Sequence, residues 1–514
     1  MKRNGFRKRV GNSILRMVLV GICLTAQVGW LLLLILRLNA HWAWISALTG
    51  LLALLLVLQL YSRPGTPSMK MPWIMLTLVF PVMGVSLYLL TAVFEDPDRT
   101  GKRLAACRER FHGGLHQDPE TLSLLERQDP GVANICSYLR NFGAAPVYQD
   151  TLVTYYGQAA QAFEDLKREL ERAESFIFLE YFIVSDGSSF RELAQILIRK
   201  AQQGVEVRLM YDDIGSIGYV DLRFARELND AGVWCLVFNP AKPVLNLFMN
   251  HRDHRKIAVI DGKVAFTGGY NLSDEYFGRT FPYGLWKDTG IRLEGRAVES
   301  MTAAYLEMWC AMSRQQDPEG SYLSVRHSMP VSRGFVQPYF DDPLGRERLG
   351  ENVYRNLAAR ARKRLYFATP YLIITDEMRS ALCLAAKRGV DVRIVTPGIP
   401  DKRTVYGVTR SYYGGLAAEG VRIYEWSPGF LHAKQCLCDA DLATIGTSNL
   451  DYRSLYHHFE NNVLLYDCEA VEEIARDFED LFAQSREVTE RYRTGPGAFL
   501  RIWQCVLRLF APLM

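Results

Sequence analysis

No two of the ten cysteines are spaced as Cys-x-x-Cys, and none sits in a cysteine- and histidine-rich run. That absence removes a structural zinc framework. The thiols are scattered, so a disulfide scaffold is also excluded and a reducing environment fits better. Charge of one sign is lacking as well. Sixty Lys and Arg against 56 Asp and Glu leave a net +4, too little to argue for nucleic acid. No clustered His, Cys or carboxylate set suggests a metal ligand group. The N-terminus carries no convincing small-residue cleavage site, so its first apolar run reads as a retained anchor rather than a signal peptide.

What the N-terminus does have is length without charge. Residues 17–36, 42–61 and 72–93 are apolar runs of spanning length, the third interrupted by Pro81 and Gly84. Lys2, Arg3, Arg7, Lys8 and Arg9 precede them and favour the inside. Three spans would put the rest of the chain outside, whereas two spans and a re-entrant third segment keep it inside, the side that free cysteines favour. The expected location is therefore a bacterial cell membrane, multi-pass, with the catalytic part cytoplasmic. The basic cluster from Arg99 to Arg110 reads either as a contact to anionic headgroups or as a solvated helix face. The last 16 residues, FLRIWQCVLRLFAPLM, read as an interfacial helix or a docked terminal one.

The rest of the chain repeats itself. HRKIAVID at 254–261 recurs as HAKQCLCD at 432–439, each followed at equal spacing by a Gly-containing turn and an asparagine. His254, Lys256, Asp261 and Asn271 thus correspond to His432, Lys434, Asp439 and Asn449. The match extends upstream, ERAESFIFLEYFIV with ARARKRLYFATPYLII and QQGVEVRLMYDD with AKRGVDVRIVTPG, which makes internal duplication the simplest explanation. Each unit reads helix, strand, helix, strand, helix, strand, motif strand. Ser189 with Glu192 reads as a capping box for a helix ending at Gly204, and Thr375 opens its counterpart ending at Gly389. FIFLEYFIV reads as continuously apolar, as in a sheet covered by helices on both faces. The class is α/β.

Along a strand, His and Lys two residues apart share a face. If the two halves pack together, two imidazoles and two ammonium groups converge on one pocket suited to a single phosphodiester. One imidazole attacks phosphorus while the other moves a proton. The lysines, with the amides of Asn271 and Asn449, hold the phosphoryl oxygens. This scheme needs no metal and no cofactor. Cys436 and Cys438, on the His432 strand face, read as small apolar fillers. Tyr181 and Tyr371 read as equivalent aromatic packing positions near the mouth. His41, His112, His116, His251 and His327 lie in no such pattern and read as surface or core residues.

The paired motif resembles the phospholipase D superfamily and, within it, the bacterial cardiolipin synthases. Beyond the motifs the residues that carry this likeness are TPSMKMPWIMLTLVFPVMGVSLYLL, FTGGYNLSDEY and GTSNLDYRSLYHHFENN. The family usually has asparagine where His458 stands, and the span ahead of the usual N-terminal pair is extra. The resemblance implies two pseudo-repeated phospholipase D-like lobes of mixed β-sheet flanked by helices, at 151–330 and 331–490. Before them come a transmembrane region at 1–95 and a connector at 96–150, and after them an amphipathic tail at 491–514. It implies the catalytic set His254, Lys256, Asp261, His432, Lys434 and Asp439, with Asp288 and Glu460 as the acidic partners that orient the imidazoles. Asp261 and Asp439 stand at strand ends, where supporting the turn is an equal alternative. The implied substrate is phosphatidylglycerol in the lipid bilayer, two molecules of which yield cardiolipin and glycerol through a phosphatidyl-histidine on His254. Hydrolysis as a phospholipase D, another headgroup transfer such as phosphatidylserine synthesis, and non-catalytic lipid binding are the alternatives.

Overall fold

The computed structural model describes residues 43–63, 65–94, 97–241, 250–313, 322–325, 330 and 332–493, with scattered positions within 18–37 and 507–511. Seven of the twenty residues of the first apolar run lie outside the described residues, as do His41 and His327.

Two sheets form the body. The first has seven strands in the order Thr151–Tyr156, Gly290–Gly295, Val264–Gly268, Lys256–Ile260, Phe176–Tyr181, Glu206–Asp212, Trp234–Phe238. The second runs Phe335–Asp341, His458–Tyr466, Leu442–Gly446, Gln435–Cys438, Arg364–Ala368, Asp391–Pro397, Arg422–Trp426, and adds Ser485–Glu487 at its edge. The first seven positions match one for one, as duplication requires. In each sheet three parallel strands carry helical crossovers, and the motif strand joins them antiparallel. The edge strands Thr151–Tyr156 and Phe335–Asp341 were missing from the repeat read off the sequence, because TLVTYY and FVQPYFD have no recognisable similarity to one another.

Pairing register corrects one equivalence. Ile177 lies opposite Ile260 and Leu365 opposite Cys438, so Tyr181 corresponds to Thr369 and Tyr371 to Ile183. Tyr181 is buried, while the Tyr371 hydroxyl donates to Asp401 Oδ2 at 2.6 Å. Helix capping also differs from expectation. Thr375 caps Asp376–Lys387 through Met378 N at 3.1 Å, but no Ser189–Glu192 box forms. The distant Asp274 carboxylate accepts from Ser188 N and Ser189 N instead, and Glu192 pairs with Lys167.

The two lobes share a core. Helix Val298–Ser313 is buried nearly all round and lies among Phe178, Ile257, Leu437 and Val463 from both sheets and Phe478 of helix Glu469–Ala483, as expected of a helix without a polar face. Backbone also crosses between lobes. Arg252–Asp253 pairs in parallel with His458–Phe459, and Leu285–Lys287 with Gly429–Leu431. Residues 97–143 form three helices rather than a bare connector. Arg108 pairs with Glu307 at 2.9 Å and Asp342 at 3.1 Å, so this member of the basic cluster is spent inside the protein. In the C-terminal tail, Arg508 Nε donates to Ser411 Oγ at 3.2 Å and Ala511 is buried in the second lobe's core.

At the N-terminus, helix Ala43–Ser62 packs against two shorter helices, Pro67–Val79 and Pro81–Phe94. The third apolar run is therefore not one kinked span. In a continuous helix residues seven apart are about 10 Å apart. Here a Cβ on Gly84 would stand 2.4 Å from Thr77 Cα, so the chain doubles back at Phe80 and needs glycine at the contact. Taken over the described residues alone, no helix is long and apolar enough to cross a membrane. Exposed Leu51, Leu54, Leu55, Leu58, Met75 and Leu78 nevertheless leave these helices with an apolar outer surface. The loop before Pro67 reaches the second lobe, where Thr66 Oγ1 lies 2.8 Å from the Tyr456 hydroxyl.

Candidate active site

The crossing strands bring the two motifs together. His254 N donates to Phe459 O at 3.0 Å and His432 N to Lys287 O at 2.7 Å, so each motif histidine is fastened by the other lobe's backbone. The side chains cross in the same way. His254 Nδ1 meets both carboxylate oxygens of Glu460 at 2.9 Å, and His432 Nδ1 meets Asp288 Oδ2 at 2.6 Å. Asp288 and Glu460 were expected beside the imidazoles, and they are there, each serving the histidine of the opposite lobe. Gly269 makes room, since a Cβ at that position would fall 2.1 Å from Asp288 Oδ1.

Both lysines point back along their own strands. Lys256 Nζ donates to His254 O at 2.6 Å; Lys434 Nζ bonds His432 O and stands 2.6 Å from Nδ1 and 2.9 Å from Nε2 of the same ring. The four motif residues are at most 7% exposed, and burial without water disfavours charge. Burial lowers the Lys256 ammonium to about 7 and Lys434 to about 8. It also holds His432 at about 4, helped by Lys434 and opposed by Asp288. His254 lies well below its ordinary value, first from burial and then from the charges of Lys256, His458, Lys434 and His432. Lys434 and His432 thus act on His254 across the lobe boundary. Glu460 is driven upward by burial, against the pull of Lys256.

Aromatic rings wall the histidines. Phe182 lies 4.9 Å from His254, centroid to centroid, while Tyr276, Trp286 and Phe430 lie 5.2, 5.6 and 5.8 Å from His432.

The motif aspartates are elsewhere, which corrects their place in the catalytic set. Asp261, with φ 53°, accepts from the backbone N–H groups of Glu174, Ser175 and Phe176. Asp439, with φ 55°, accepts from Arg362, Lys363 and Arg364. Five residues of extended chain separate Lys256 from Asp261, about 17 Å, so the carboxylate falls at the far end of the strand. There it caps the start of the neighbouring strand in each lobe. Each Asp→Ala change leaves three N–H donors unpaired, and the expected loss is about 3 kcal/mol of stability. Turnover per folded molecule should stay near wild type; denaturant melts beside activity normalised to folded protein check this.

The asparagines divide. Asn271 Oδ1 accepts from Ile183 N at 3.0 Å and its Nδ2 donates to the Tyr276 hydroxyl at 2.8 Å, so its side chain braces the aromatic wall more than it faces a substrate. Asn449 donates toward Asp451, and its Oδ1 is buried without a partner.

The sequence reading missed several positioning residues. Arg252 holds Asp212 through Nε at 2.9 Å and Nη2 at 2.9 Å, and Arg255 pairs with Glu180 at 2.6 Å, all four buried beneath His254. Glu180 was the available signal, a carboxylate inside FIFLEYFIV that was taken as apolar throughout. Asn461 accepts from Lys256 N at 3.0 Å and donates to Thr267 Oγ1 at 2.6 Å, another cross-lobe tie.

A family model described as the cardiolipin synthase, phospholipase D-like domain matches residues 166–302 and 354–482, which include all four motif histidines and lysines. The chain belongs to this family. A cardiolipin synthase 2 from Bacillus cereus is 36% identical over 453 residues, 87% of either chain. A cardiolipin synthase from Geobacillus kaustophilus is 33% identical over 486 residues, 92% of this chain and 95% of that one. A phosphatidylserine synthase from Haemophilus influenzae superposes with a TM-score of 0.56 at 14% identity, covering 74% of this chain and 98% of its own, which establishes the shared fold. In this member the site is a buried cluster from both lobes, two lysines and two crossed imidazole–carboxylate pairs.

Proposed function

We propose that the chain is a phosphatidyltransferase that makes cardiolipin and glycerol from two molecules of phosphatidylglycerol. The crossed pairs carry this reading. They give two imidazoles held at Nδ1 by carboxylates, with Nε2 of His254 left for phosphorus and Nε2 of His432, 2.9 Å from Lys434 Nζ, for proton transfer, the arrangement that double displacement at phosphorus needs. His254 Nε2 attacks phosphorus while Glu460 holds its Nδ1–H. The bond to the glycerol oxygen breaks, and that oxygen takes a proton passed through His432 Nε2 from the Lys434 ammonium 2.9 Å away. The terminal hydroxyl of a second phosphatidylglycerol then gives its proton to His432, which returns it to Lys434, and attacks phosphorus, and the P–N bond to His254 breaks. One phosphodiester replaces another, so no nucleotide is consumed. Lys256 and Lys434 are the groups that would hold the phosphoryl oxygens.

Burial of both histidines behind aromatic rings favours a lipid hydroxyl over water as acceptor. The apolar outer surface of helices Ala43–Ser62, Pro67–Val79 and Pro81–Phe94 supports embedding in a bilayer. The reversal at Phe80 suits a re-entrant third segment, with the lobes on the cytoplasmic face. The loop at Thr66 then holds the membrane region beside residues 451–458, which lead into Glu460.

Given pure phosphatidylglycerol in mixed micelles, the enzyme should release glycerol and cardiolipin in equal amounts, read by lipid chromatography and a glycerol assay. Phosphatidic acid as the main product would make it a hydrolase, and no turnover of any phospholipid would remove the catalytic reading.

The lysines set the alkaline limb. An ammonium binds phosphate only while protonated, so kcat/KM should fall as pH rises through about 7 to 8, where Lys256 and Lys434 lose their protons. On the acid side the limb should lie below 6.5, because both imidazoles are shifted down. A pH–rate profile with an alkaline limb only above 10 would contradict this.

A further inference from the structure

His458 begins the strand that carries Glu460, and it is 7% exposed. Its Nε2 accepts from Arg453 Nε at 3.2 Å. A neutral imidazole that accepts at Nε2 carries its proton on Nδ1. That Nδ1 is buried, has no hydrogen-bond partner, and stands 3.7 Å from Glu460 Oε1. The same carboxylate holds His254 at 2.9 Å, and the two imidazole rings lie 5.3 Å apart. Glu460 is thus flanked by two imidazoles, one bonded and one within a side-chain adjustment of about 0.8 Å of bonding.

The same three residues hold ligand atoms within 4.8 Å of one another, close enough for a metal ion. Two observations count against one. With Arg453 donating to Nε2, His458 Nδ1 bears a hydrogen and offers no lone pair. Lys256, Arg252 and Arg453 already act on His458 as neighbouring positive charges, and a divalent cation would add to their repulsion.

We propose that His458 is a positioning residue of the phosphatidyl-transfer reaction. Its Nδ1–H serves as a further donor to Glu460, steadying the carboxylate while His254 forms and loses its bond to phosphorus. Thr447 and Ser454 also act on this carboxylate, and each further donor narrows the ways it can turn when the charge on His254 changes. Catalytic hydrogen bonds are often long in the free enzyme and tighten as charge develops. The inference rests on the proposed role of His254.

Three substitutions separate the donor from the bulk of the ring. His458→Asn keeps an N–H near the position of Nδ1–H, His458→Phe keeps the ring without a donor, and His458→Ala removes both. The Phe and Ala variants should lose roughly 10-fold in kcat with KM unchanged. Their acid limb should move to higher pH, because Glu460 with one donor fewer keeps its proton longer. The groups facing His458 are Arg453, His457, Arg252, Lys256, His254 and Glu460; of these, the limb follows Glu460 and its partner His254. The Asn variant should retain kcat within about threefold and keep the wild-type limb. Wild-type kcat and limb in all three variants would overturn the proposal, as would an Asn variant as impaired as Phe. Loss of wild-type activity on chelation, restored by one metal and absent from His458→Asn, would make the cluster a metal site instead. Full activity of His254→Ala would instead overturn the functional reading on which the proposal rests.

Discussion

His254→Ala and His432→Ala are each expected to lower turnover by about four orders of magnitude or more, and the double variant by hardly more than either alone. Residues acting as one unit are strongly non-additive, and the structure makes these two a unit. Each ring is held by a carboxylate of the other lobe, and each histidine's backbone N–H by a carbonyl of that lobe. Initial rates with radiolabelled phosphatidylglycerol measure the loss. If the two single losses multiplied in the double variant, or either variant kept wild-type activity, the lobes would be working separately.

The second large effect concerns the exchanged carboxylates. Glu460→Gln and Asp288→Asn preserve shape but remove the charge that fixes each imidazole's tautomer, and losses of roughly 10^3-fold or more are expected. Their phenotypes should cross the chain. Glu460, in the second lobe, serves His254, so its variant should slow formation of the phosphatidyl-enzyme. Asp288, in the first lobe, serves His432, so its variant should slow proton transfer to glycerol and from the acceptor. Rapid-quench measurement of the glycerol burst separates the two. A Glu460 variant with a normal burst, beside an Asp288 variant unable to form adduct, would reverse the assignment.

Much of this was legible in the sequence because the repeat carries it. Once 254–261 and 432–439 are aligned, two similar sheets follow, and the observed strand orders agree at seven successive positions. Alternation along a strand placed His and Lys on one face. The exchange of Asp288 and Glu460 could not be read, since it depends on how the lobes dock, and spacing along the chain says nothing of that. Asp261 and Asp439 show the opposite failing: membership of a motif suggested chemistry, although strand length already put them about 17 Å from the lysines. Aligning Tyr181 with Tyr371 went wrong by two residues because similar aromatics outweighed the strand register. The reversal at Phe80 was half visible in Pro81 and Gly84. A proline and a glycine left a kinked span and a re-entrant segment both open, and only the Thr77 contact shows a hairpin.

The account's central claim is that one phosphodiester passes through one histidine of a site built from both lobes. The measurement that tests it most directly is to quench the two alanine variants with phosphatidylglycerol labelled in its phosphate and map any phosphorylated peptide by mass spectrometry. His432→Ala should accumulate label on His254, having a nucleophile but no efficient proton carrier to complete transfer, and His254→Ala should carry none. Label on His432 in the His254→Ala protein, with an unlabelled His432→Ala protein, would contradict the account.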